Sequence, residues 1–483
     1  MLFNSFNFLV FFIITTFLYF VLAQRLRVTM LLIASCVFYM FFVPKYILIL
    51  FLTILVDYAA GIYIERTIGK RRKLWLVGSI VTTCLILFFF KYYNFFIDNV
   101  NLVFLAIQGR EKFDPLNIIL PIGLSFHTFQ SLSYVFEVYY GRQKAEKNFL
   151  IYSLYVMYYP QLVAGPIERP QNLLYQFHQS HTWDTNRIIS GLQMIFWGLV
   201  KKMLIADRLA VFVNYAFDNA TELQGFQLLL AAYFFAFQIY CDFSGYSSIA
   251  LGASRIMGIE LMTNFRTPYL SVSIREFWSR WHISLSTWFR DYLYIPLGGN
   301  RGSTFRTITN QFIVFSVSGF WHGASWTFIT WGVLHAFYVV VEWLIYGVNK
   351  IAETGKNMVD RVSTFFKWFI TFHLVVFAWI FFRADSIQSA VAYINGILNF
   401  KKTQIGLHML PVKDYPYTRE LMLSLLAIIL LFTLEWLHTR VNLYKFLNNS
   451  HWLVQLAFYL MVGCVFLLFA MFHSAQEFIY FQF

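Results

Sequence analysis

The chain has 483 residues, of which 59% are hydrophobic and only 13% are charged. Soluble domains carry about 25% charged residues, so the composition excludes an ordinary soluble protein and indicates a multi-span membrane protein. The formal net charge is +13. Because the basic residues lie in short loops between apolar runs, this charge indicates membrane topology and contact with anionic lipid, and no nucleic-acid partner is expected.

Apolar runs long enough to cross a bilayer, roughly 20 residues each, recur along the whole chain. We predict an all-α integral membrane protein, with one domain over 1–483 and about 11 to 13 transmembrane helices. The mixed stretch 242–300 is predicted to be re-entrant or interfacial. The predicted spans are about 5–23, 28–43, 46–64, 74–97, 117–140, 149–165, 188–205, 226–241, 308–330, 331–347, 364–382, 420–437 and 453–475.

The loops of the first half alternate in charge. An excess of lysine and arginine marks the segments 24–27, 65–73 and 142–147, whereas the loops between them are nearly neutral. Basic loops stay on the cytoplasmic side, so this alternation predicts an extracytoplasmic N-terminus.

The first candidate site residue is His282, within the aromatic stretch 275–290. If this stretch is one continuous helix, His282 shares a polar stripe with Arg275, Ser279, Ser286 and Arg290, opposite a tryptophan-rich face. Such a helix lines a wet cavity or lies at the membrane interface, and the purely interfacial alternative stays open.

The second candidate is His322, which lies inside a long apolar run. Ionisable groups at membrane depth are costly, so they indicate a functional or strong structural role. If the helix continues, Ser318 and Ser325 flank His322 on the same face, and the small residues Gly319 and Gly323 leave room for a substrate chain. The alternative is a hydrogen-bonded histidine with a packing role. We expect a packing role for His335, on another face of that helix.

No protein nucleophile accompanies the histidines. The chain lacks a Gly-x-Ser-x-Gly elbow, and Cys241 has no histidine near it in sequence. A histidine without a nucleophile favours direct transfer, in which the imidazole acts as general base on an acceptor hydroxyl. The acyl donor is then an activated one, such as a thioester. A covalent acyl-enzyme stays open.

The run 273–301 reads SIREFWSRWHISLSTWFRDYLYIPLGGNR, and the run 319–335 reads GFWHGASWTFITWGVLH. These two motifs resemble the signatures of the membrane-bound O-acyltransferase family. Their bacterial polysaccharide O-acetyltransferase branch is the most similar. The supporting matches are 90–96 (FKYYNFF), 120–130 (LPIGLSFHTFQ), 160–167 (PQLVAGPI), 242–250 (DFSGYSSIA) and 382–385 (FRAD). Two positions depart from the family pattern, which usually has Asp at Ser248 and Tyr at His127.

The resemblance implies catalytic roles for His322, as the essential histidine, and for His282, as its support. It also implies a catalytic core over roughly 117–347, helices around a trans-membrane tunnel, and a place in the bacterial cytoplasmic membrane. No metal and no permanently bound cofactor are expected. The residues that we expect to contact substrate are Trp281, Ser286, Arg290, Asp291, Tyr294, Asn300, Ser318, Trp321 and Ser325.

The function that the resemblance implies is acetyl transfer across the membrane. Acetyl-CoA or another acyl thioester is the expected cytoplasmic donor, and the acceptor is an extracytoplasmic polysaccharide reached through an esterase-like partner of the SGNH type. One alternative is D-alanyl transfer from a carrier protein to teichoic acid. The alternative from another class is a polysaccharide transporter without catalysis.

Overall fold

The computed structural model describes residues 1–109, 111–223, 225–347, 358–399, 417–441, 449–472 and 478–479. All regular secondary structure in these ranges is helical, and they contain no strand. The predicted all-α fold class is therefore confirmed. The helices of the first half are α1 (Phe6–Val21), α2 (Gln24–Met40), α3 (Ile47–Arg66), α4 (Gly69–Leu87), α5 (Tyr93–Gln108), α6 (Leu124–Tyr139), α7 (Phe149–Met157), α8 (Tyr159–Leu162) and α9 (Pro170–His178).

The second half contains the longest single helix, Phe226–Ile256. A π-helical turn, Val200–Ala206, joins the helices Thr185–Leu199 and Asp207–Asp218 into one rod. The helices are α10 (Thr185–Leu199), α11 (Asp207–Asp218), α12 (Phe226–Ile256), α13 (Ile274–Arg280), α14 (Ile283–Phe289), α15 (Thr304–His322), α16 (Trp326–Tyr346), α17 (Met358–Arg383), α18 (Ile387–Leu398), α19 (Tyr417–Arg440) and α20 (Trp452–Phe469).

Eight helical runs within the described residues are long and apolar enough to cross a membrane. They coincide with eight of the predicted spans, so the multi-pass character is confirmed. The other five predicted spans, 5–23, 28–43, 117–140, 149–165 and 308–330, give helices that are shorter, interrupted or less apolar. The eight runs are Pro44–Arg66, Gly69–Gln108, Thr185–Asp218, Phe226–Ile256, Trp326–Tyr346, Val362–Arg383, Arg419–Arg440 and Trp452–Phe469.

The prediction of one continuous helix over 275–290 is wrong. Helix α13 ends at Arg280, and His282 has a backbone φ of 44°, in the left-handed region. The backbone N–H of Ile283 then donates to the carbonyl of Asn264 at 3.0 Å instead of to a helical partner. Because the helix breaks here, the predicted polar stripe does not exist and His282 is fully buried.

Glycines allow two helix pairs to approach closely. Helices α10 and α12 meet at Gly198, where an added Cβ would lie 2.6 Å from the carbonyl oxygen of Gly245. Helices α15 and α16 meet at Gly319 and Gly332, each of which faces a backbone carbonyl of the other helix at 2.2 Å from such a Cβ. Small residues thus let the helix backbones touch.

The hydrophobic core consists of two clusters of buried side chains. The first joins α1, α2, α3, α6 and α7 and includes Trp321. The second joins α11, α13, α16 and α17 and includes Trp281 and Trp331, while α12 contributes to both. Each candidate histidine borders both clusters. His322 follows Trp321 of the first cluster and contacts Trp331 of the second. His282 follows Trp281 of the second cluster and contacts Phe243 of the first.

Candidate active site

The end of helix α15 places His322 inside the protein. The helix stops at His322, and Gly323 is extended. The side chain of Ser325 then caps α16 by accepting from the backbone N–H of Thr327 at 3.3 Å. Ser325 therefore does not share a helical face with His322, and that prediction is wrong. The adjacent pair of predicted spans is divided at 323–325.

Aromatic rings surround the buried His322 imidazole on several sides. Its ring centroid lies 5.2 Å from that of Trp331 and 5.3 Å from that of Phe382, both in near-perpendicular contacts. Trp321 lies 4.9 Å away. His282 and Lys91 are both close enough to His322 for a positive charge on either to disfavour a proton on its imidazole.

Lys91 reaches the end of α15 from a distant part of the chain. It lies in a π-helical turn, Phe88–Tyr92, between α4 and α5. Its ammonium donates hydrogen bonds to the carbonyl oxygens of Trp321 at 2.7 Å and His322 at 2.9 Å. The last carbonyls of a helix lack intrahelical donors, so Lys91 satisfies two of them and complements the negative end of the helix dipole.

A cavity of about 60 Å³ lies beside His322 and Lys91. Four segments that carry the family resemblance, 90–96, 120–130, 160–167 and 319–335, each contribute to its wall. Polar groups line it together with apolar ones, so it has room and partners for water or a small acyl group. The lining residues are Lys91, Leu120, Pro121, Ile122, Gly123, Leu124, Ser125, Phe126, Val163, Trp321 and His322.

His282 is enclosed more completely than His322 and does not line the cavity. Its ring packs edge-on against Phe243 at 4.6 Å and stacks near Phe126 at 6.2 Å. Its Nδ1 lies 3.2 Å from Oδ1 of Asn264. The same oxygen accepts from the backbone N–H of Ser284 at 3.1 Å, which fixes it as the acceptor end of the amide.

The hydrogen bonds of Asn264 therefore set the tautomer of His282. Because Oδ1 is an acceptor, Nδ1 must carry the proton of the neutral ring and donate it. The lone pair then lies on Nε2, which has no hydrogen-bond partner among the described residues. This is the state in which an imidazole accepts a proton or a hydrogen bond.

The predicted substrate residues near the histidines have different positions. Trp321 lines the cavity and stacks on Phe129 at 4.9 Å. Ser318 is buried one helical turn before His322. Trp281 packs inside the second hydrophobic cluster, and Ser286 donates to the carbonyl of Trp281 at 3.2 Å.

The other four predicted substrate residues lie away from this cavity. Arg290 and Asp291 pair at 2.8 Å, and Asp291 also binds Arg169 at 3.2 Å. Tyr294 and Asn300 line a second, mostly apolar cavity of about 150 Å³ between the start of α15 and the end of α16. Substrate contacts by all these residues stay predictions.

His335 is buried among aromatic rings on α16. The indole N–H of Trp278 donates to its Nδ1 at 3.3 Å. Trp331 lies between His335 and His322, with ring centroids 5.0 Å and 5.2 Å away. This setting agrees with the packing role expected for His335.

The prediction missed two residues that shape the site, Lys91 and Asn264. Lys91 is an ionisable residue inside the candidate span Gly69–Gln108, so the reasoning that singled out the histidines applies to it equally. Asn264 gives no such signal, because an asparagine in the loop after α12 is ordinary and only the tertiary fold brings it to His282.

A buried imidazole beside a cavity, within an all-helical multi-pass membrane protein, defines a class of membrane-embedded enzymes. The model of the membrane-bound O-acyltransferase family matches residues 131–383. The chain belongs to this family and is an O-acyltransferase.

Several relatives carry functional names. The chain is 40% identical over 394 residues to the probable alginate O-acetylase AlgI of Pseudomonas aeruginosa, covering 80% of this chain and 73% of that protein. It is 35% identical over 395 residues to the peptidoglycan O-acetyltransferase of Helicobacter pylori, covering 76% and 73%. It is 27% identical over 316 residues to the teichoic acid D-alanyltransferase of Bacillus subtilis, covering 63% and 76%.

Proposed function

We propose that the protein transfers an acetyl group from a cytoplasmic thioester, such as acetyl-CoA, towards an extracytoplasmic polysaccharide. The observation that carries this proposal is the cavity beside His322, whose wall contains residues from four separate family-like segments. The acetyl group reaches the polysaccharide through an esterase-like partner of the SGNH type. The proposed location is the bacterial cytoplasmic membrane.

The proposed chemistry uses His322 as general base. Its imidazole takes the proton of an acceptor hydroxyl while the hydroxyl oxygen attacks the thioester carbonyl carbon. The carbon–sulfur bond then breaks, and the leaving thiolate takes the proton from the imidazolium. His282, with its lone pair on Nε2, has a supporting role beside His322 and does not contact the reacting groups. No protein nucleophile is needed.

The predicted topology suits an acceptor that arrives from outside. With an extracytoplasmic N-terminus, the connection between α5 and α6 lies on the outer side of the membrane. The last residues of that connection, Leu120–Gly123, line the cavity beside His322. The acceptor hydroxyl would enter here, and the thioester would approach the same imidazole from the cytoplasm.

The names of the relatives favour acetyl over D-alanyl transfer. The O-acetylase and O-acetyltransferase relatives are 40% and 35% identical, against 27% for the D-alanyltransferase. The same general-base chemistry would serve a D-alanyl thioester on a carrier protein, so the donor has to be tested. A transporter without catalysis is set aside, because the family is one of acyltransferases.

The test uses purified protein in lipid nanodiscs with radiolabelled acetyl-CoA. We expect release of CoA and movement of the label, and a loss of about 10³-fold in His322→Ala, since a general base contributes about 10²- to 10⁴-fold. His178→Ala is the matched control, because His178 lies in an exposed position at the end of α9. Equal turnover by His322→Ala contradicts the general-base role. Turnover with a D-alanyl carrier protein but not with acetyl-CoA supports the alternative donor.

A further inference from the structure

The position of Lys91 calls for more than a structural explanation. Among the described residues no carboxylate forms an ion pair with its ammonium. Two of its three N–H groups bond the carbonyls of Trp321 and His322. An ammonium within a membrane span is costly to bury, and two carbonyl dipoles offset that cost only in part.

The third N–H of Lys91 makes only a long hydrogen bond at the wall of the cavity, which a ligand there can replace. The nearest side-chain acceptor is Oγ of Ser125, at the long distance of 3.5 Å, and both residues line the cavity. The backbone carbonyl of His322 is held by the same nitrogen. A ligand in the cavity therefore meets one cationic donor and one imidazole whose relative positions are fixed by hydrogen bonds.

The local backbone is shaped to place this cation. The rod Gly69–Gln108 is helical throughout, but Phe88–Tyr92 form a π turn. One extra residue in a turn rotates the following residues by about 100° relative to an uninterrupted α-helix. Such turns are rare, and they occur frequently at functional sites.

We propose that Lys91 stabilises the oxyanion that forms on the acyl carbonyl during transfer. Its hydrogen bonds to α15 hold this cation at a fixed position relative to the His322 imidazole. The inference rests on the proposed function. When the acceptor oxygen attacks, the carbonyl π electrons move to the carbonyl oxygen, which accepts the third N–H of Lys91. Collapse of this intermediate expels the thiolate, and the acyl group stays on the acceptor oxygen. A fixed positive group placed where negative charge develops strongly stabilises the transition state.

Three substitutions separate the charge of Lys91 from its hydrogen bonds. Lys91→Met removes both, Lys91→Gln keeps an N–H donor for the two carbonyls without charge, and Lys91→Arg keeps the charge. We expect kcat for acetyl-CoA turnover to fall about 10²- to 10³-fold in the first two variants, with KM within about threefold, because the oxyanion exists only in the transition state. Lys91→Arg should keep more activity than Lys91→Gln. Lys73→Gln, at an exposed site on α4, is the matched control.

A second measurement avoids dependence on one variant. Ethylamine added to Lys91→Ala supplies a small cation, and we expect it to restore part of kcat, whereas ethanol should not. Size-exclusion profiles identify variants that do not fold. Activity of Lys91→Gln equal to that of the wild type, or absence of any rescue in a folded Lys91→Ala, overturns the inference alone. A wild-type protein without His322-dependent turnover overturns the proposed function and this inference together.

Discussion

The surroundings of His322 and His282 differ in a way that separates two roles. His322 ends a helix, borders a cavity, and has a lysine ammonium at the carbonyl of its own residue. His282 is sealed by aromatic rings and held at Nδ1 by an amide oxygen, and it does not line that cavity. The reacting groups can thus reach the first imidazole, whereas the second has the fixed geometry of a supporting residue.

The difference also shows how each site is held in place. The backbone at His322 depends on close packing of α15 against α16 and on the ammonium of Lys91. The backbone at His282 is left-handed and depends on a loop, in which Asn264 bonds both Ile283 and Ser284. Substitutions in these two supports therefore test the two sites separately.

Among substitutions in the Asn264 loop and in the contact between α15 and α16, the largest expected effect is on the His282 side, at Asn264. Asn264→Ala removes the acceptor that holds the proton on Nδ1 of His282. The proton can then move to Nε2, which is no longer always the nitrogen with the lone pair. We expect kcat to fall on the order of 10- to 100-fold, about 1.4 to 2.7 kcal/mol in barrier, with little change in KM. Steady-state kinetics with acetyl-CoA measure this.

Two further variants sharpen the result at Asn264. Asn264→Asp keeps an oxygen acceptor for Nδ1 and should retain more activity than the alanine variant. Ser284→Ala removes the hydroxyl that donates to Asn264 at 2.9 Å but leaves the bond that His282 Nδ1 donates to Asn264, and it should stay near the wild type. If Asn264→Ala and Ser284→Ala have equal kcat, the proposed control of the tautomer is wrong.

On the His322 side, Gly319→Ala tests the packing of α15 against α16. An added Cβ would lie 2.2 Å from the carbonyl oxygen of Phe328, which is backbone and cannot move aside. Overpacking of this kind costs about 2 kcal/mol. We expect a lower melting temperature in detergent and lower turnover, because Gly319 precedes His322 by one helical turn.

The control for Gly319→Ala is another helical glycine. Gly78 on α4 has no atom within 4 Å of an added Cβ, so Gly78→Ala should be neutral or slightly stabilising. A melting temperature for Gly319→Ala at or above that of the wild type would mean that the two helices are not in close contact at this position.

Several features of the fold and site could be predicted from the sequence. Eight predicted spans coincide with apolar helical runs because length and hydropathy suffice to define them. His322 stood out because a charged or polar group in an apolar run needs a reason. The same rule, applied to Lys91, would have identified the cation beside it.

Other features depend on tertiary contacts that no local pattern reveals. The stretch 275–290 contains neither proline nor glycine, so nothing in it signals the break at His282. The break arises because Trp281 packs into one hydrophobic cluster and Leu285 into the other, while Asn264 takes the backbone N–H of Ile283. Helix α12 likewise runs to Ile256, beyond the predicted end at 241, because polar residues such as Asp242 are buried against other helices.

The smallest expected effect concerns Glu168, which holds the loop after α12 that carries Asn264. Its fully buried carboxylate accepts from the backbone N–H of Met262, two residues before Asn264, and from Asn172 at 2.6 Å. Burial raises the pKa of Glu168 from 4.5 to about 7. The folded protein therefore holds this proton at a pH where the unfolded chain has lost it, so stability falls as the pH rises between these values.

Between about pH 6 and about pH 7.5, this linkage predicts a loss of about 1 kcal/mol of stability. Glu168→Gln cannot ionise, so the part of the pH dependence that comes from this group should disappear, and the variant should gain on the wild type as the pH rises. Melting temperatures across this range measure the difference. Glu260→Gln, exposed on the same loop, is the control and should leave the profile unchanged. If Glu168→Gln follows the wild-type profile throughout, then Glu168 is already ionised in the folded protein and the Asn264 loop is held by a charged carboxylate.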